Sequence, residues 1–257
     1  SGTALATVIS QGLSMFLGIA YLKRHAFLFD FKPASFRIAR PMAKELARVG
    51  IPISFQELMV RISFLYLTAV MNGCGVYAAA VVGIGAKYDV FSMLSATSVA
   101  NALAALPAQN TGAGNPARAW RSLWYGLAFA LGAAFVFWTW AQWNPESMIR
   151  LFSDDPGVIA AGVPYFRACS YDYLMVAFVF CLNGYLNDRS KTLWTMVSCT
   201  CGALFLRIPL VWYVGNHFAQ DLGMLGTVAP VVSGMMAAYT LLYVLWEGRK
   251  QRVFRGN

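Results

Sequence analysis

The sequence is short of charge. Asp, Glu, Lys and Arg make up only 12% of its 257 residues while 58% are hydrophobic, too little polar material to clothe soluble domains of this length. It is short of histidine as well: His25 and His217 stand in separate breaks between apolar runs, which excludes a paired-histidine metal motif. The five cysteines, Cys74, Cys169, Cys181, Cys199 and Cys201, lack metal-ligand spacing and lie mostly in apolar runs, where they read as small apolar side chains. There is no nucleophile elbow and no phosphate-binding glycine loop, so neither hydrolysis nor ATP-driven work is expected; the chain reads as no enzyme and as needing no cofactor. Acidic residues number 11 against 20 Lys and Arg. That surplus lies in short breaks rather than on one face, which speaks against nucleic acid and for membrane lipid as a partner.

What the sequence has in abundance is long apolar runs. Seven reach or exceed the ~20 helical residues that cross a bilayer core: Gly2 to Leu22, Ile51 to Cys74, Val76 to Leu106, Leu123 to Trp143, Val158 to Leu186, Trp194 to Val214 and Met224 to Trp246. Transmembrane strands are excluded, because the runs are too long and do not alternate. The fold class is therefore all-α, a multi-pass bundle of about seven transmembrane helices. Fifteen lysines and arginines fall in the first, third and fifth breaks and the tail, and only Arg150 in the others. This bias predicts a cytoplasmic C-terminus and a cytoplasmic Gln109-Asn110 loop. Tryptophans and tyrosines at both ends of the runs, such as Trp143 and Trp246, agree with two interfacial belts.

The chain starts at Ser1 and enters an apolar run at once, which leads us to expect a fragment. Residues 1–22 read as one span, 23–50 as a cytoplasmic linker in which Pro41 to Val49 form a short amphipathic surface helix, 51–246 as a six-helix lobe and 247–257 as a tail. Between the third and fourth runs, Pro107 to Ala119 read as a polar loop. Gly112 and Gly114 there permit a tight exit, and Gln109 and Asn110 can satisfy helix-end carbonyls.

Charges at membrane depth are costly and each needs a partner, a wet cavity or a function. Glu57 and Arg61, four apart, share a helical face and are either a structural pair or part of a cavity in which Glu57 exchanges Arg61 for a cation. Lys87 and Asp89, two apart, point to different faces, so one is turned inward. We read Asp89 as structurally paired and Lys87 as facing a cavity. Asp172 lies near the middle of the fifth run without an obvious partner on its own helix, a position suited to a group that takes up and releases a coupling proton or holds a sodium ion. Arg207 is expected to pair with an intramembrane carboxylate, and Pro209 to kink its helix, as hinge or as packing. Tyr171 and Met175 are among the aromatic and Met residues that could line an adaptable pocket for lipophilic cations. With no ATP-driven domain, coupling to an ion gradient remains.

Several motifs resemble one family in register. Gly2 to Gln11 open the first span and Gly50-Ile51-Pro52 the second; Ala108 to Gly114 with Arg118-Ala119 resemble the loop after that family's eighth span. Cys181 to Asn187, including Asn183 and Gly184, then Lys191-Thr192, and then Arg207-Ile208-Pro209 continue the match. The family is that of the multidrug and toxic compound extrusion (MATE) transporters. The resemblance implies twelve spans in two lobes, with the last span of a missing N-terminal lobe and the whole C-terminal lobe present here. It implies export of organic cations and drugs across the plasma (inner) membrane, driven by sodium or proton entry, with Asp172 at the position of the family's acidic cation-site residue. Sodium-type members carry a glutamate where this chain has Val60, with Glu57 one turn earlier as a secondary candidate; Lys87 and Arg61 would tune the cavity charge. A related lipid-linked oligosaccharide flippase or polysaccharide exporter is the alternative.

Overall fold

The computed structural model describes residues 2–24, 40–113, 115–189, 191–218 and 221–253. Among them there are helices and turns and no strands. The chain divides into two units, Ser1–Ala47 and Arg48–Asn257. The first contains α1 (Gly2–Arg24), whose apolar stretch is Val8–Tyr21, and the start of α2. Arg249, Arg252, Lys32 and Arg37, on which the charge bias partly rests, have side chains outside the described residues.

The second unit is built from the rest of α2 (Arg40–Gly73), then α3 (Val76–Gly112), α4 (Pro116–Trp143), a short α5 (Pro145–Arg150), α6 (Pro156–Asp188), α7 (Thr192–Cys201), α8 (Ile208–His217) and α9 (Leu222–Val253). Six helical stretches among the described residues are long and apolar enough to cross a membrane, at the positions of the last six predicted runs. Three corrections concern their ends. Pro41 to Val49 are not a separate surface helix but the first turns of α2. Pro107 to Gly112 continue α3, so the connection to α4 is short: Ala113, Gly114, which lies outside the described residues, and Asn115. The helix-end backbone stays paired because the Ala113 amide donates to the Gln109 carbonyl at 3.0 Å and the Asn115 amide to that of Asn110 at 2.8 Å; Asn110 Nδ2 also donates to the Leu106 carbonyl at 2.7 Å. Finally, the predicted sixth run is not a helix simply kinked by Pro209. Its residues Gly202–Arg207 form a π-helical turn between α7 and α8, and Pro209 follows directly, in the first turn of α8.

Local chemistry explains the junctions. Gly75, at φ 120°, makes the two-residue connection from α2 to α3 with a backbone conformation that other residues rarely adopt. Asp155 caps α6 by accepting the Gly157 amide at 2.7 Å, and Asn144 accepts the Ser147 amide at 3.2 Å to start α5.

The helix α6 is central, with α3 on one side and α9 on another, and two close approaches set their register. A Cβ on Gly184 of α6 would stand 2.7 Å from the Ala100 carbonyl oxygen of α3, and one on Gly226 of α9 would stand 2.8 Å from the Tyr165 carbonyl oxygen of α6. Backbone cannot yield as a side chain tip can. Gly184→Ala is therefore expected to destabilise the bundle by roughly 1–3 kcal/mol through overpacking, seen as a lower melting temperature in detergent. An unchanged melting temperature would show that α3 and α6 do not approach so closely.

Candidate functional site

The site begins with Asp172, sixteen residues from Pro156 and sixteen from Asp188 at the centre of α6. It is only 3% exposed. Its Oδ1 has no hydrogen-bond partner, while the Ser233 hydroxyl of α9 is placed to donate to the carboxylate. Seven residues separate Tyr165 from Asp172 and Gly226 from Ser233. Because Gly226 touches Tyr165, the two chains reach the same level side by side.

The buried cation is Arg207, the last residue of the π turn, 5% exposed. Its Nη1 donates to Ser63 Oγ of α2 at 3.3 Å, its guanidinium lies 4.3 Å from the centre of the Phe64 ring, and its Nε has no partner. Arg207 and Asp172 act on each other through their charges, as do Asp89 and both of them. A π turn carries one more residue per turn than an α turn and often marks a functional position. Gly202, at the start of this one, allows Met236 of α9 to pack against the turn where a Cβ would collide with its sulfur.

Asp89 is held by its neighbour in sequence. Tyr88 is buried, donates from Oη to the Met148 carbonyl at 2.9 Å, and meets Trp140, Phe152 and Phe166 edge to face. With Tyr88 anchored among aromatic rings, the α-helical step of about 100° per residue turns Asp89 towards α6 and Lys87 outward, where it is exposed.

The other sequence candidates are distributed as follows. Glu57 and Arg61 do pair, at 4.0 Å, but their side chains are 56% and 79% exposed. Such pairs are worth ~0–1 kcal/mol, so Glu57→Gln is expected to leave the melting temperature nearly unchanged; a large drop would mean that the pair is enclosed. Tyr171 is exposed and edge-on to Trp138 at 5.9 Å. Met175, half-buried, lies against Gly234 of α9. Asn183 donates to Cys199 Sγ at 3.3 Å, tying α6 to α7. Gln109 is exposed, Gly112 is the last residue of α3, and Pro209 is exposed. The structure thus buries Asp172 and Arg207 within electrostatic reach of each other, and leaves Glu57, Arg61, Lys87 and Tyr171 on exposed surface. Ser63 and Ser233 are ordinary small polar residues of apolar helices, and nothing in the sequence around them marks them as part of the site. Asp89 was expected to have only a structural part; the signal was its place one turn after Gly85, on the face that also bears Ser92 and Ala96.

A separate cavity of about 290 Å³ lies between the ends of α2 and α8, lined by residues that include Tyr66, Cys74, Trp212 and Asn216. Among the described residues no charged side chain lines it.

The family model described as MatE matches residues 52–213, the stretch from the start of the second span through Arg207 to the end of the sixth. This chain belongs to the MatE family. Its members are membrane transporters, not enzymes, and the MatE chain is accordingly a multi-pass membrane protein. It is 25% identical over 217 residues to the probable multidrug resistance protein YpnP of Bacillus subtilis, which covers 81% of this chain and 46% of that protein. It is 26% identical over 253 residues to a protein of Shewanella oneidensis described as an FAD transporter, covering 96% of this chain and 54% of that one. The MatE chain thus spans about half the length of these curated relatives. Among solved structures, an outward-facing multidrug resistance MATE family transporter of the MOP superfamily superposes with TM-score 0.76 at 15% identity, covering 94% of this chain and 54% of that one. A MOP superfamily transporter from Pyrococcus furiosus, whose structure is described by a binding pocket of reversed polarity, gives TM-score 0.78 at 16% identity over 88% and 52% of the two chains. At these identities the likeness is one of fold.

Proposed function

We infer that the chain is the C-terminal lobe of a secondary active multidrug or organic cation efflux antiporter, coupled to sodium or proton entry and working with an N-terminal lobe. The observation that carries this is Asp172: a carboxylate buried at the centre of the most enclosed helix, with one oxygen unpartnered. A charge in that position is too costly to keep for packing alone. A cation that neutralises it changes the stability of one packing of the bundle relative to another, which is what coupling to an ion gradient requires. The chain's half-length match to its relatives supports the two-lobe reading, since an alternating-access cleft forms between two bundles. The lysine and arginine bias supports a C-terminus in the cytoplasm, and the plasma (inner) membrane is the location that an efflux antiporter requires.

Efflux of a fluorescent cationic dye from cells expressing the gene tests the reading. Dye export that collapses when the sodium and proton gradients are dissipated is expected, and export of no cation under either gradient would overturn it. Vesicles holding this chain alone are expected not to transport; if they do, the two-lobe reading fails.

A second reading has two observations in its favour. Lys87 and Arg61 are exposed cations, and one relative is described as an FAD transporter. An anionic cargo, whether a dinucleotide or the lipid-linked oligosaccharide of a flippase, would use such groups. Export of an anionic dye but no cationic one would favour it.

A further inference from the structure

Two aspartates, not one, stand at the level of Arg207. The packing of α3 on α6 sets the level of the two aspartates relative to each other independently of their charges. Gly85 of α3 lies against the Tyr165 ring, where a Cβ would come within 3.2 Å of it, and Ala100 lies against Gly184. Both contacts advance along the two helices in the same sense, so α3 and α6 run side by side in one direction. From Gly85 to Asp89 the chain rises by about 6 Å, and from Tyr165 to Asp172 by about 10 Å, an axial offset of about 4 Å, within the reach of two side chains across a seam tight enough at Gly184 to exclude a Cβ. Asp89 shares the face of Gly85, and Asp172 that of Tyr165. Across this seam the side chains of Asp89 and Asp172 interact, and Arg207 interacts with both.

We propose that Asp89 is the second carboxylate of a three-charge centre and shares one monovalent cation, a proton or a sodium ion, with Asp172. This rests on the antiporter reading and deepens it. Two carboxylates and one guanidinium sum to a single negative charge. Arg207 is tied to α2 through Ser63 and Phe64 and can satisfy only part of the pair, which leaves Asp172 Oδ1 without a donor. One further cation neutralises the centre; a second would leave it positive. Among the described residues no three His, Cys, Asp or Glu side chains are grouped to hold a metal ion, so a sodium ion here would be held by these two carboxylates and neutral oxygens such as Ser233. The other titratable groups around the centre, Tyr165, Cys169 and Tyr173 of α6, interact with both aspartates, and α9 faces Asp172 with the uncharged Ser233.

The test is infrared difference spectroscopy of the carboxyl C=O band of the chain in lipid nanodiscs over a pH titration, for the wild type and for D89N and D172N. One protonated carboxyl common to the pair is expected in the wild type, and its band should be lost or displaced in each variant. A D89N spectrum that keeps the wild-type band while D172N loses it would assign the proton to Asp172 alone and overturn the proposal. If D89N does not fold, D89E serves: a glutamyl carboxyl in the shared site displaces the band, and an unmoved band overturns sharing. Sodium that removes the band identifies sodium as a competing occupant, and sodium that leaves it identifies the proton; either supports a single shared cation. A chain with the shared band but no dye efflux from cells would keep this centre and lose the antiporter reading.

Discussion

Asp172→Asn is expected to reduce gradient-driven export of a cationic dye to the level of cells lacking the gene. The amide matches the carboxyl in shape and can still accept from Ser233, so packing at the centre of α6 is kept and only the exchangeable charge is removed. A buried charge without a full set of partners is itself a cost, so the variant should melt no lower than the wild type. Loss of export at unchanged stability separates coupling from folding. Asp172→Glu, which restores the charge on a longer stem, should recover part of the export. Asp172→Asn with coupling intact would remove this residue from the mechanism.

The second large effect concerns Arg207. Removing one partner of a buried ionic group while leaving the others costs about 3–5 kcal/mol, and Arg207→Met leaves two carboxylates facing each other. A fall of that size in unfolding free energy is expected, with a melting temperature lowered by several degrees. The triple variant D89N/D172N/R207M removes all three charges at once and should regain most of the loss, because an uncharged centre no longer needs compensation. A single variant as stable as the wild type would mean that Arg207 is hydrated by a route to water, not enclosed among its partners.

Most of the bundle was legible from the sequence because apolar length decides where a helix crosses a bilayer. The limits of the helices were less so. Gln109 and Asn110 are polar and stand beside glycines, the usual composition of a loop, yet α3 runs through them: outside the apolar region a helix needs only that its last carbonyls find donors, and the Ala113 and Asn115 amides supply them to Gln109 and Asn110. Six residues of α5 are too few to show a period, and their helix depends on the Asn144 cap and on burial of Met148 and Ile149. The π turn could not be read from Pro209, because its first residue, Gly202, packs against Met236 of α9, a tertiary contact that no local pattern shows. At the site, Asp172 stood out by its depth and Arg207 by its interruption of an apolar run. Which of Lys87 and Asp89 turns inward depended on the anchoring of Tyr88, whose partners lie on α4, α5, α6 and the turn after α5.

The extra residue of the π turn puts α7 and α8 out of phase by about 100°, the angle of a single α-helical step. Arg207 therefore faces Ser63 and Phe64 of α2 from a position that an uninterrupted α-helix through the same residues would turn elsewhere. The phase of the helix, and not the sequence position of the arginine alone, aims the positive charge at the depth of the aspartates.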